Sequence, residues 1–183
     1  FTKIGRTPGS PDGTSLQRVP LVGITAAPAT LVFRKGDQAQ TLAWRDDVVM
    51  WTKRVTERVA VENSDVVFVG YGVEAPELGW DDYKGVETKG KTLGMLVGDP
   101  PVPDPADPTK LDPAMFGGRA MTYYGRWTYK YEEAARRGAV GMLVVHETAP
   151  ASYGWATVKN SNTITMFDIV RADPAAEHVA IEG

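Results

Sequence analysis

The chain has 183 residues, 43% of them hydrophobic and 23% charged, with a net charge of −3. That length suits one ordinary domain, which at this size buries roughly 70% of its unfolded surface and needs no covalent staples. The slightly acidic balance excludes a general electrostatic grip on nucleic acid or an acidic membrane, and the absence of cysteine excludes disulfides and thiolate metal sites. No apolar run approaches the ~18–20 residues of a membrane-spanning helix. Nothing at the start reads as a signal peptide.

Residues 1–13 (FTKIGRTPGSPDG) are rich in Gly, Pro and polar side chains without periodicity, the composition of a connector. Residues 16–25 read as an extended segment, with Pro20 fitting an edge strand. Residues 29–33 and 40–44 flank Arg34-Lys35-Gly36-Asp37, and their β-branched and aromatic content predicts a hairpin with glycine at the turn. The stretch 46–58 (DDVVMWTKRVTER) fits either a strand or a short helix. Strand character returns at 59–62 and 65–70. The run Val66-Val67-Phe68-Val69, bounded by Gly70 and Gly72, predicts a strand buried on both faces, and residues 93–97 predict a second.

Residues 99–113 (DPPVPDPADPTKLDP) hold six prolines in fifteen positions and must form a long surface loop. Their aspartates lack the glycine hinge and terminal glutamate of an EF-hand, so turn formation is the favoured role over calcium binding. Tyr124, Trp127, Tyr131, Ala134 and Ala135 recur at helical spacing, and Thr122 stands where an N-cap is expected. Glu132 with Arg136 and Glu133 with Arg137 are i,i+4 pairs, and Gly138 suits a left-handed C-terminal cap. Residues 140–145 predict another buried strand. Residues 93–145 therefore read as a βαβ unit with parallel strands. Beyond it lie an aromatic loop at 152–157 and short strands at 163–170 and 178–181.

Groups able to do chemistry are few. His146 and His178 are the only histidines, and neither lies in an HExxH. His146 beside Glu147 falls short of the three protein ligands zinc requires, so a surface or locally hydrogen-bonded histidine is the favoured reading. Gly70-Tyr71-Gly72 lacks the third glycine of a dinucleotide fingerprint and reads as turn chemistry. Asp81-Asp82 reads as a capping pair rather than an acid/base pair. The group Tyr123, Tyr124, Arg126, Trp127, Tyr129 and Lys130 is the richest surface candidate, because a helix start bearing arginine and aromatics is a good place for a carboxylate.

Two blocks carry a resemblance: FVGYGVEAPELGWDDYKGVETKGKTLGMLVGDP and AMTYYGRWTYKYEEAARRGAVGMLVVHETAPASYGW. Both resemble the protease-associated (PA) domain inserted in secreted zinc-dependent peptidases, the family of aminopeptidase S, glutamate carboxypeptidase and the transferrin receptor. The segment IGRTPGSPDGTSLQRVPLVGI is similar to the passage by which those enzymes run into the PA insertion. The resemblance implies an α/β domain of swivelling type, with a curved or barrel-like mixed β-sheet flanked by a few helices. It implies residues 1–25 as connector plus edge strand and 26–183 as the PA domain, in a periplasmic or extracellular protein whose signal peptide lies outside these residues.

The same resemblance implies no catalytic residue and no metal ligand in this stretch. The family's two zinc ions sit in a catalytic domain whose His-x-Asp motif comes downstream. The implied role is to shape or gate substrate access to that domain's cleft, with the catalytic domain of the same chain and peptide or protein substrates as partners. In the carboxypeptidase branch an arginine near the start of this helix contacts the substrate carboxylate. Arg126 lies one position from the matching place, with Tyr124 and Trp127 as its supports. The rival readings are an independent peptide-binding module and a small enzyme built around His146.

Overall fold

The computed structural model describes residues 2–27 and 30–173, so His178 and the strand expected at 178–181 lie outside it. In chain order it holds strands Leu21–Ile24 (β1), Leu31–Lys35 (β2), Gln38–Leu42 (β3) and Val66–Phe68 (β4). Two short strands, Glu74–Ala75 (β5) and Trp80–Asp81 (β6), enclose a single 3-10 turn at Pro76–Leu78. Thr92–Leu96 (β7) follows, then helix Trp127–Arg136 (α1), Gly141–Val145 (β8), Thr148–Ala151 (α2), Trp155–Asn162 (α3) and Met166–Ile169 (β9). No helix among the described residues is long and apolar enough to cross a membrane.

The centre of the fold is a three-stranded parallel sheet ordered β4-β7-β8. β7 is its middle strand because its apolar run has neighbours on both sides; Leu93 and Met95 are fully buried. α1 covers one face, placing Tyr131 and Ala134 against Val69, Leu93, Met95 and Met142. The expected parallel β-α-β unit is thus present as β7, α1 and β8. The helix ends as its sequence requires: Gly138 has φ +70°, its amide donates to the Ala135 carbonyl, and the Ala139 amide donates to the Ala134 carbonyl. Those two bonds satisfy carbonyls that the last turn leaves open. The expected hairpin forms as β2–β3 with a tighter turn: Arg34 and Lys35 pair within the ladder, leaving a two-residue turn whose first member, Gly36, has φ +57°.

Several expectations are corrected. The strands form four small open sheets, and none among the described residues closes into a barrel. β4 is an edge strand: Val67 and Val69 face the core, but Val66 and Phe68 remain 49% and 61% exposed. An apolar run cannot report how many strands flank it, and among the described residues the face opposite α1 has no covering layer at β4. Residues 46–58 form neither strand nor helix, and 59–62 is not a strand. The chain instead turns at Arg45 (φ +72°), with the Ala43 amide donating to the Asp47 carboxylate.

Thr122 does not cap α1, because its amide and hydroxyl are both engaged by the Asp99 carboxylate, at 2.7 and 2.6 Å. Arg126 takes the N-cap position with no side-chain capping bond. The expected aromatic loop at 152–157 gives way at Trp155 to α3, anchored by the Trp155 indole N–H donating to the Arg45 carbonyl.

The proline-rich loop is a chain of aspartate turns. Asp104, Asp107 and Asp112 each accept the amide two residues ahead. A bridge between Pro103 and Leu111 closes the loop on itself. This is the turn role expected of Asp-Pro chemistry.

Candidate functional site

The N-terminal end of α1 is assembled from three distant stretches, and a lysine joins them. Lys130 is fully buried, and its Nζ donates to the carbonyls of Tyr71 (2.6 Å), Gly98 (3.1 Å) and Tyr124 (3.3 Å). Three donors meet three acceptors, the arrangement that makes a buried ammonium tolerable. Burial pushes its pKa down to about 8, against the pull of Asp99 and Asp82 toward the charged form. Sequence reasoning counted Lys130 in a candidate surface group without placing it in the core. The missed signal is its spacing: Trp127, Lys130, Tyr131 and Ala134 fall at i, i+3, i+4 and i+7, so Lys130 lies in the apolar stripe.

The loop facing this helix end is held by the Asp81-Asp82 pair. The Asp82 carboxylate accepts the Val73 amide and the Trp80 indole N–H, both at 3.0 Å, while Asp81 accepts the Tyr83 amide at 2.8 Å. Both carboxylates are thus occupied with backbone and indole donors, as the capping reading expects. The Tyr129 hydroxyl accepts the Glu74 amide and donates to the Glu74 carbonyl, at 3.1 and 3.2 Å, pinning β5 to the helix.

The three predicted contact residues take three different positions. Arg126 is exposed at the N-cap, and its guanidinium joins no ion pair among the described residues. Tyr124 is half-buried; its hydroxyl donates to Glu77 Oε1 at 2.6 Å, and its ring meets Tyr129 edge-on at 4.9 Å. The Glu77 acceptor, followed by burial, pushes the Tyr124 phenol up to about 12. Trp127 borders the main core, and its indole N–H is buried without a partner among the described residues. So Arg126 is presented to solvent, Tyr124 fastens the 3-10 turn at Pro76–Leu78 to α1, and Trp127 faces an aromatic cluster.

That cluster surrounds His146. Its ring lies nearly flat on Tyr153 at 5.5 Å, with Trp155 at 6.1 Å and Trp127 at 6.4 Å. Both imidazole nitrogens are buried and lack partners among the described residues. The reading of a surface or hydrogen-bonded histidine is corrected: His146 is a stacking residue, covered because Tyr153 in the link between α2 and α3 and Trp155 at the start of α3 lie over the end of β8. Among the described residues no group of three or more His, Asp and Glu side chains is arranged to hold a metal ion.

At the other end of α1, Glu133 is buried and accepts from Arg136 (2.7 Å) and Arg137 (2.6 Å), while Arg137 also pairs with Glu74 and lies 3.7 Å over the Tyr83 ring. The two predicted helix pairs are therefore unequal. Glu132 and Arg136 approach only to 3.9 Å at a half-exposed site, whereas Glu133 with Arg137 belongs to the packing. A groove of about 450 Å³ lined by Arg54, Arg58, Val61 and Ala139 opens near this end, remote from Arg126.

Tyrosine ionisation gives a testable pH dependence. Burial raises the phenols of Tyr83, Tyr131 and Tyr129, and carboxylate acceptors raise Tyr123 and Tyr124. A raised folded pKa contributes stability that is complete below the unfolded value of 10.0 and is lost as pH climbs through the folded values. Tm is therefore expected to fall progressively above pH 10, and the ultraviolet phenolate band should appear together with unfolding. A full phenolate signal from a still-folded chain at pH 11 would contradict the burial of these rings.

No family model matches this chain, and neither a curated protein nor a solved structure is similar enough to match it.

Proposed function

We propose that this chain is a PA-type, non-catalytic domain that shapes or gates substrate access in a secreted zinc aminopeptidase. The observation that carries the reading is the way the two resembling blocks meet. The first supplies β5, β6 and β7, the second supplies α1 and β8, and they pack into one core through Tyr83, Leu93, Met95, Tyr131 and Met142. Blocks separated in sequence thus form one unit, as expected of a single domain signature. The open mixed α/β architecture supports the coarse class. In this reading the catalytic domain of the same polypeptide carries the two zinc ions, and peptides or proteins are the substrates.

Arg126 is the residue proposed to meet substrate. Its guanidinium is exposed at the start of a ten-residue helix, where the partial positive charge of the first turn adds to its own. In the parent enzyme, Arg126→Ala should raise KM for peptides with a free carboxylate about 10- to 150-fold, equivalent to ~1.5–3 kcal/mol, with kcat and the amidated peptides little changed. Unaltered kinetics on both substrate classes would sink this role.

One observation favours a second reading, an independent peptide-binding module. β4 is an edge strand with Val66 and Phe68 exposed, a suitable place for an extended peptide to add as a further strand. Titration of residues 1–183 with peptides separates the two readings. Micromolar binding without the catalytic domain supports the module; saturation only in its presence supports the gate.

A further inference from the structure

Among the described residues three buried side-chain polar atoms lack a hydrogen-bond partner, and all three belong to the aromatic cluster at the end of β8. They are Nδ1 and Nε2 of His146 and Nε1 of Trp127. Native interiors leave few such groups, so three in one place call for an explanation.

The His146 ring is enclosed by Tyr153, 27° from parallel at 5.5 Å, by Trp155 at 6.1 Å and by Trp127 at 6.4 Å. A neutral imidazole tolerates this enclosure, because one of its nitrogens carries no proton and its faces stack on rings. An imidazolium does not: both nitrogens become donors, and a charge buried without acceptors is costly. The ionisable groups on the elements packed around the ring are Glu147, Tyr153, Arg126, Arg45 and the exposed Lys159–Asp46 pair, with Lys130 committed to its three carbonyls. None of them bonds to either nitrogen.

The cover has weak local support. α2 is a single turn and α3 has eight residues, shorter than helices that persist alone, and neither starts with a side-chain cap. Between them Ser152 has φ +64°, a conformation that residues other than glycine seldom adopt. Burial of Ala151 and Val158 and the Trp155 bond to the Arg45 carbonyl at 3.1 Å hold the cover down.

We propose that residues 147–162 form a proton-sensitive latch, closed over His146 while the imidazole is uncharged and released when it takes up a proton. Closure and proton uptake exclude each other, because the closed cluster offers the second N–H no acceptor among the described residues. Release uncovers Trp127, the first residue of α1 and the neighbour of Arg126, so the latch controls the surface at the helix start. The latch follows from these contacts whether or not the chain serves a peptidase.

Amide hydrogen exchange, corrected for the intrinsic effect of pH, tests the latch. The reporters are the Ala151 and Thr157 amides, which donate to the Glu147 and Gly154 carbonyls; the reference is the Val69 amide on the Gly94 carbonyl. Lowering the pH from about 8 to about 5 should cut reporter protection about 30-fold, with the reference unchanged. That factor is the excess of imidazolium over imidazole for an unperturbed histidine at the lower pH. His146→Phe keeps a stacked ring without a titrating group and should make protection constant, whereas His178→Phe should respond like the parent. Carbethoxylation by diethyl pyrocarbonate reads the closed state without altering His146. Near pH 7 it should be at least about tenfold slower than for a free imidazole, and Tyr153→Ala should speed it. Constant reporter protection in the parent overturns the latch, as does an equal loss in His146→Phe or carbethoxylation of His146 at the free-imidazole rate.

Discussion

Lys130→Met is expected to destabilise the fold by about 2–4 kcal/mol, read as a lower urea midpoint at unchanged m-value. Methionine conserves much of the stem volume, so lost packing is minor. What is lost is the donor set: the carbonyls of Tyr71, Gly98 and Tyr124 each forfeit a charged partner inside the fold. An unsatisfied buried polar group costs about 1–3 kcal/mol, and relief from burying an ammonium offsets part of the sum.

A pH experiment isolates that offset. The folded pKa of about 8 lies below the ordinary 10.5, so between these values the unfolded chain holds a proton that the folded chain has released. Stability contributed by this group therefore rises from pH 8 toward 10.5, opposite in sign to the tyrosine effect above pH 10. Lys130→Met should remove the rise and leave the tyrosine decline. A variant as stable as the parent, with the same pH profile, would show that Lys130 does not join these segments.

Gly72→Ala is the second large effect, expected to destabilise the chain by about 2–4 kcal/mol. Two causes act at one position. Gly72 has φ +62°, a left-handed conformation costing an L-residue about 1–2 kcal/mol, and its added Cβ would lie 2.4 Å from Met95 Sδ. Met95 is fully buried in β7 within the main core cluster, so its side chain can shift only against other packed core residues. Gly79→Ala separates the causes: φ is +64°, yet nothing lies within 4 Å of the added Cβ. It should cost only the backbone share, about 1 kcal/mol. Equal losses at the two glycines would mean that the Met95 contact contributes nothing. Partial recovery in a Gly72→Ala, Met95→Ala pair, measured as a double-mutant cycle, would confirm the clash.

The sequence made legible what neighbouring residues decide. The β2–β3 hairpin rests on one glycine in a two-residue turn, the end of α1 rests on Gly138, and β7 follows from an apolar run between turn residues. The features it misplaced are decided by what lies opposite. β4 has the composition of a buried strand, but its exposure depends on the lack, among the described residues, of a second neighbour and a covering layer. Thr122 has the chemistry of an N-cap, but Asp99, 23 residues earlier, claims both its donors. The α3 segment WATVKNSN has weak intrinsic helicity and depends on a tertiary anchor at Trp155.

The candidate site divides in the same way. The helix was readable from its spacing, but its start was set four residues early, at Thr122 instead of Arg126. The fastening of Tyr124 to Glu77, 47 residues away, was not, and neither was the covering of His146 by Tyr153 and Trp155. Such contacts are set by the return path of the chain, on which local periodicity is silent.

The central claim, that catalysis belongs to a zinc domain which this unit gates, is tested most directly by peptide hydrolysis in residues 1–183 and in the full-length polypeptide. The account predicts aminopeptidase turnover by the full-length protein that is abolished by a chelator and restored by zinc, and none by residues 1–183 alone. Turnover by residues 1–183 that survives chelation, or a full-length protein without metal-dependent peptidase activity, would contradict it.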